Sequence, residues 1–361
     1  MEACKGIKNA ALTALVIIGG SSAVLLAARA QVREGREKKT GMTSTIAFVS
    51  TRHDPPTGDN PLIASQIYLM DADGTNVRRL TRNSHTDNFP ALSPDGRRIV
   101  FDSNRLRTGG EPQNTAHLFL MNADGTGQTP LVRGNSGTWS PDGKRIAFHA
   151  SASGSGRLVS GLPGAAAADS DIFVLSVDDF LKKRARPKNI TNNSAAVDDD
   201  PDWSPVGGRL LFTSHAATDD HNNAVTTEIY VIDPDGKGKP VRLTDNAEEE
   251  RAPSWSADGR RIVYCCRKGD PEREGGLRSF EICVMNADGT GQARLTNNKI
   301  GDLTPTWSPD GTKIMFHRRV GGRGQFQLFV INADGTDERQ LTGPPGLSGF
   351  PNWGEVRNTG R

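Results

Sequence analysis

Four carboxylates share one register in this chain. Asp87, Asp198, Glu250 and Asp302 each stand three residues before a proline that opens a short aromatic-bearing segment: Pro90, Pro201, Pro253 and Pro305. Carboxylates recurring at one position can do one of two things. They can converge as a site for a cation, a basic peptide or an amine, or each can accept backbone N–H bonds and lock its own loop. Histidine is the second residue type that could do chemistry. The seven histidines, His53, His85, His117, His149, His215, His221 and His317, all fall in loops or at adjoining strand ends. His149 and His317 hold one equivalent strand-end position. A calcium reading of the Asp-x-Asp-Gly turns fails on spacing. The twelfth position counted from Asp71 is Arg82, and from Asn122 it is Arg133, where an EF-hand loop needs a carboxylate.

The elements that must position these residues come from a repeated phrase. Thr304-Pro305-Thr306-Trp307-Ser308-Pro309-Asp310-Gly311-Thr312-Lys313-Ile314-Met315-Phe316 reads as strand, tight turn, strand, with Pro presetting the turn and Gly closing it. The phrase recurs at Leu92, Trp139, Trp203 and Trp255, and a shortened copy ends at Trp353. All five tryptophans hold one position of it, which marks a repeat protein. Each repeat continues with a third apolar strand, an Asn-Ala-Asp-Gly turn and an Arg-x-Leu-Thr strand. Third strands such as Ile282–Met285 are apolar throughout, as strands buried on both faces are. Six phrases therefore predict an all-β, six-bladed β-propeller of four-stranded antiparallel blades. The first repeat lacks a Trp strand and the last phrase lacks everything after one. Phe350 to Trp353 is thus expected to complete the blade begun by Ile46–Phe48, removing the exposed edges.

Strand alternation then sorts the connections. The Ser-Pro-Asp-Gly and Asn-Ala-Asp-Gly turns share one face. The insertions Asn104–Thr115, Ala150–Asp169, Ser214–Thr227 and Arg267–Ser279 share the other, with the histidines. Rigid scaffolds carry binding on such loops. The expected site is therefore the loop face and the channel mouth, with Asp87, Asp198, Glu250, Asp302, His85, His149 and His317 as its residues. Gly134 and Ser348 stand where the other two carboxylates of the register would be. The basic run Lys182-Lys183-Arg184-Ala185-Arg186 replaces one turn on the opposite face.

The signature P-x-W-S-P-D-G-x-x-I-x-F, then I-Y-x-M-N-A-D-G-T, then R-x-L-T, resembles the WD-repeat-like propeller of TolB-type proteins over residues 43–354. TolB itself is a periplasmic partner in an envelope complex with an N-terminal α/β domain, and nothing in this chain matches that domain. The resemblance implies a non-catalytic module for protein or ligand binding at the cell envelope, with no catalytic residue, metal or cofactor of its own. Oligogalacturonate lyases are similar in their repeat and hold a metal with histidines on the loop face. That gives the alternative, a metal-dependent carbohydrate-active enzyme. Prolyl-oligopeptidase-like peptidases also carry such propellers, but no G-x-S-x-G elbow occurs in this sequence.

Composition sets the remaining bounds. The chain has 361 residues with 40 Gly and 21 Pro, and a formal charge of +2. Residues 1–30 contribute all of that charge, which leaves no electrostatic footprint for nucleic acid. A monomer is expected. Cys4, Cys265, Cys266 and Cys283 show no metal spacing and are expected as buried thiols, not a disulfide framework. Residues 1–30 read as a signal peptide ending at Ala28-Arg29-Ala30 or as a retained membrane anchor. Residues 31–42 read as a charged linker and 355–361 as a tail. A start at Met42 would instead give a cytosolic product; the exported readings place the protein outside the cytoplasm.

Overall fold

The computed structural model describes residues 42–53, 64–107, 115–151, 170–192, 196–216, 227–246, 248–267, 280–298, 300–320 and 325–357. The expected leader, most of the loop-face insertions and His221 lie outside them. Six four-stranded antiparallel sheets make six blades. From the innermost strand outward, blade 1 runs Ser348–Arg357, Met42–Ser50, Gln66–Asp71 and Arg78–Arg79. Blade 2 is Asp87–Leu92, Arg98–Ser103, His117–Asn122 and Thr129–Arg133. Blade 3 is Asn135–Trp139, Arg145–Ser151, Ser170–Ser176 and Lys188–Asn189. Blade 4 is Ala196–Trp203, Leu210–Ala216, Glu228–Ile232 and Val241–Arg242. Blade 5 is Glu249–Trp255, Arg261–Arg267, Glu281–Asn286 and Ala293–Arg294, and blade 6 is Asp302–Trp307, Lys313–Arg319, Phe326–Asn332 and Arg339–Gln340.

Blade 1 closes the ring as the shortened phrase demands. Ile46 pairs with Trp353 and Ala47 with Asn352, and the ladder runs on from Met42 opposite Arg357 to Ser50 opposite Ser348. The pairing thus takes in residues that the sequence sets in the linker and the tail. The basic run of blade 3 follows a short helix, α1, Val177–Leu181, where the other blades have a turn.

The core lies between blades. Each face of a blade packs on its neighbour, so Trp139 is buried with Val100 and Leu118 of blade 2, and Trp307 with Val263 and Ile282 of blade 5. An arginine from the preceding blade caps the exposed side of the indole. Arg98 lies 4.8 Å from the Trp139 ring, Arg145 4.8 Å from Trp203 and Arg261 4.5 Å from Trp307. That stacking explains why a cation precedes the I-x-F strand.

The cysteines need a correction. Cys266 and Cys283 form a disulfide with Cα atoms 5.8 Å apart, and Cys265 alone among the described cysteines is a buried free thiol. Tyr264 pairs with Cys283 and Cys266 with Glu281, so the two sulfurs are diagonal neighbours on one sheet face. Strand register, which sequence spacing does not reveal, brings them within bonding distance.

Candidate binding site at the channel mouth

Every innermost strand carries a β-bulge, and the bulges build the channel wall. Phe89 and Pro90 together oppose Phe101, and the same two-against-one arrangement recurs in the other five blades. The residue opposed is aromatic each time: Phe48, Phe101, Phe148, Phe212, Tyr264 or Phe316, all 2 % exposed or less. The first bulge residue is left-handed in each blade. Phe89, Ser136, Asp200, Ala252, Thr304 and Phe350 have φ between 47° and 54°. The second is proline except at Gly137. Proline lacks an N–H, so it fits where the ladder is interrupted. Left-handed Phe and Thr are costly, at about 1–3 kcal/mol each, and persist only where the surroundings fix them.

The residues after each aromatic form a ring, Val49, Asp102, His149, Thr213, Cys265 and His317, and two of them hold a left-handed residue in place. Ser136 N–H donates to Asp102 Oδ2 at 3.0 Å, and Phe350 N–H donates to His317 Nδ1 at 3.2 Å. In each case a blade's second strand catches the bulge of the next blade. Burial sets the chemistry of this ring. It pushes the Asp102 carboxyl and the Cys265 thiol well up. It pushes His317 down to about 3, so that imidazole is neutral. The Thr304 hydroxyl also meets His317 Nδ1, at 2.7 Å. His149 is 3 % exposed, and neither ring nitrogen has a hydrogen-bond partner; its Nε2 stands 3.8 Å from Asp199 Oδ1.

The four carboxylates of the common register sit one layer further out, at the start of the innermost strands, and all are buried. Three of them, Asp87, Glu250 and Asp302, are engaged by their own connectors. In Leu-Thr-x-Asn-x-x-x-Asp/Glu, the Asn amide donates to the carboxylate four residues on: Asn83 to Asp87 at 2.8 Å, Asn246 to Glu250 at 3.0 Å and Asn298 to Asp302 at 2.9 Å. The backbone N–H of the same Asn donates to the residue that opens the preceding blade's third strand, Gln66, Glu228 or Glu281. The Thr hydroxyl takes the next N–H of that strand, as in Ile229 to Thr244 at 2.9 Å. One motif thus stitches the fourth strands of blades 1, 4 and 5 to the next blade.

The four then divide. Arg105 donates to both oxygens of Asp87 at 2.9 Å, and Arg318 grips Asp302 at 2.6 and 2.9 Å. Among the described residues, no basic side chain pairs with Asp198 or Glu250. Burial raises Asp198 to about 6, despite the Ser214 hydroxyl bond and with Asp171 and Asp199 adding like charge. Burial raises Glu250 to about 8, with Glu228 crowding it.

The predicted histidines scatter. His85 is exposed, and its backbone N–H joins the Asn83 turn. His149 and His317 lie in blades 3 and 6, half a ring apart. His53 bonds the Tyr68 hydroxyl at 2.7 Å. Among the described residues no group of three or more His, Cys, Asp or Glu side chains is placed to hold a metal ion, and no helix is long and apolar enough to cross a membrane.

The structure also brings forward residues that sequence reasoning missed. An axial cavity of about 140 Å³ is lined by the bulges, including Phe89, Thr138, Asp200, Asp202, Pro351 and Asn352. Asp202 Oδ2 takes the Trp255 N–H at 2.8 Å, and burial raises this carboxyl to about 6. Except for Pro351 itself, these residues flank the Pro of each phrase. Comparing the repeats with one another at those two positions would have singled them out.

Fold and site together define a six-bladed β-propeller whose axis forms a pocket. Residues 162–357 match the TolB beta propeller domain family, more than half of the chain, and the chain belongs to that family. It is 35% identical to dipeptidyl-peptidase 5 of Porphyromonas gingivalis over 261 residues, 62% of this chain and 36% of that protein. It is 36% identical to the Tol-Pal system protein TolB of Francisella tularensis subsp. mediasiatica over 87 residues, 24% of this chain and 18% of that one. The chain therefore spans about a third or less of the length of these relatives. TolB from Acinetobacter baumannii superposes with a TM-score of 0.65 at 20% identity, covering 91% of this chain and 71% of that one. A putative TolB from Agrobacterium tumefaciens gives 0.56 at 20% identity, covering 88% and 98%.

Proposed function

We propose that this propeller is a non-catalytic binding module that engages a protein or small ligand at the cell envelope through its loop face and channel mouth. One observation carries the reading. Positions that build the blades repeat their residue, as Thr81, Thr191, Thr244, Thr296 and Thr342 do. Positions that face the axis do not: the first bulge residue lining the cavity is Phe, Ser, Asp, Ala or Thr in blades 2 to 6, and the residue after the proline or glycine is Ala, Thr, Asp, Ser, Thr or Asn. A surface with only a structural task has no use for that variety, whereas a pocket that recognises one asymmetric ligand requires it.

The chemistry supports binding over catalysis. The hydroxyl–imidazole pair of Thr304 and His317 spends its Nδ1 on the Phe350 N–H as well. An imidazole held near 3 is a weak general base at neutral pH. The Cys266–Cys283 bridge supports an oxidising compartment outside the cytoplasm. The test is affinity capture from the native envelope fraction with the full chain and with an Asp200→Asn/Asp202→Asn/Phe89→Leu variant of unchanged melting temperature. Wild type should retain a partner that the variant loses. Equal capture by both would place the contact elsewhere. Turnover of peptide or oligosaccharide substrates by the pure protein would overturn the non-catalytic reading.

A further inference from the structure

The axial cavity has two unlike walls. Around the ring the innermost strands follow the order Asp87–Leu92, Asn135–Trp139, Ala196–Trp203, Glu249–Trp255, Asp302–Trp307 and Ser348–Arg357. Phe89 and Phe350 are therefore neighbours, and their ring centroids are 4.4 Å apart. Blade 4, two steps round from blade 2, presents Asp200 and Asp202 to the same cavity as Phe89, whose ring Phe350 backs. The remaining lining is small and neutral: Ser136, Thr138, Ser254, Thr306 and Asn352 supply hydroxyl and amide oxygens.

Neither carboxylate has a basic side chain within ion-pair distance among the described residues. Asp200 accepts the Ala252 N–H at 3.2 Å, and Asp202 accepts Trp255 N–H and the Thr138 hydroxyl. Both are open to the cavity yet surrounded by protein, and burial raises them above the ordinary carboxylate range. The aromatic wall is rigid. The His317 ring stands edge-on to Phe350 at 5.2 Å and accepts its N–H. Deep carboxylates without a counter-ion facing an aromatic pair are complementary to a positive charge carried on a slender organic body.

We propose that this cavity is a socket for one alkylguanidinium or alkylammonium group, with its charge on Asp200 and Asp202 and its stem against Phe89. The inference rests on the binding-module reading and names its ligand class. About 140 Å³ admits one such group and falls short of a drug-sized ligand. A divalent ion is the competing occupant, since the two carboxylates, the lining hydroxyls and water could complete its oxygen shell, and the calcium arm of the test decides between them. The shared chemistry has two sources, an Arg or Lys side chain of a protein partner or a free amine.

Calorimetry on the full chain tests it with n-butylguanidinium, n-butylammonium, neutral n-butylurea, calcium chloride and an end-blocked Gly-Gly-Arg-Gly-Gly peptide. The two cations should bind one to one, and the urea should not. Asp200→Asn/Asp202→Asn should weaken the cations about tenfold or more. Phe89→Leu should weaken them about threefold, and Phe89→Tyr should restore them. If Phe89→Leu does not fold, Phe89→Met is read in its place. Peptide binding at least as tight as butylguanidinium assigns the cation to a partner side chain; binding of the small cations alone assigns it to a free amine. Equal binding of the urea, unchanged binding by a folded Asp200→Asn/Asp202→Asn variant, or displacement of butylguanidinium by equimolar calcium would overturn the proposal. Absent cation binding with intact partner capture from the envelope fraction sinks only this inference. Loss of both sinks the module reading too.

Discussion

The connectors into blades 2 and 6 and those into blades 4 and 5 place a buried carboxylate at the same point and treat it in opposite ways. Asp87 and Asp302 meet Arg105 and Arg318, whose guanidinium groups also stack on Phe119 at 4.5 Å and Phe329 at 4.7 Å. Asp198 and Glu250 meet hydroxyl and amide groups and other acids, and they hold their protons to higher pH. A repeated position therefore does not imply a repeated energetic role. In two blades the carboxylate is half of an ion pair that only the fold assembles. In the other two it is a charge the fold tolerates poorly.

The largest effect should come from breaking the ion pair at blade 6. Asp302→Ala leaves Arg318 largely buried with only Glu338 to meet it, and should cost about 3 kcal/mol in urea unfolding. The double variant with Arg318→Leu should recover part of that loss, because the stranded charge goes with it. A cost under about 1 kcal/mol would dissolve the contrast between the two pairs of blades.

Glu250→Gln should act with the opposite sign. Glu250 is raised to about 8 from an ordinary value of 4.5, so across that window the native state holds a proton that the unfolded chain has released. Stability then falls as pH rises from about 4.5 to about 8, and is flat beyond. The glutamine variant lacks this slope. It should match wild type near pH 4 and exceed it by about 2 kcal/mol near pH 9. A variant less stable than wild type at pH 9 would make Glu250 a lock like Asp302.

Asp198→Asn should follow the same direction more weakly. Its window runs from 3.8 to about 6, and the Ser214 hydroxyl already bonds the carboxylate. A gain of about 1 kcal/mol at pH 8, absent near pH 3.5, is expected from paired denaturation curves.

Residue patterns that recur were legible, and residues that differ between repeats were not. Trp307 and Ser308-Pro309-Asp310-Gly311 gave blades, turn types and ring closure, because each copy solves one packing problem in one way. The bulges were invisible, since a left-handed Phe89 or Thr304 carries no sequence mark; only the following Pro hints at an interrupted ladder. Arg105 and Arg318 lie 18 and 16 residues from their carboxylates, across a hairpin whose register decides whether they meet. The Cys266–Cys283 bridge was missed for the same reason. The axial set of Phe89, Asp200 and Asp202 carries no such mark, because each of these residues occurs at its position in one or two repeats only.

The asparagine of the connector offers the finest test of the comparison. Asn298 bonds Glu281 through its backbone N–H and both Glu281 and Asp302 through its amide. Asn246 makes the corresponding bonds to Glu228 and Glu250. If the motif were one part used twice, alanine at either position would cost the same, about 1 kcal/mol for the lost bond. The neighbouring charges argue otherwise. Arg318 still neutralises Asp302 when Asn298 is gone, so that cost should hardly change between pH 5 and 9. At Glu250 the asparagine amide is the first group opposing the burial that raises the carboxyl. Removing it should push Glu250 higher still, so Asn246→Ala should be nearly silent near pH 5 and cost progressively more toward pH 9. Parallel pH profiles for the two alanine variants would show that the connectors are alike after all, and that the arginines of blades 2 and 6 only decorate a common lock.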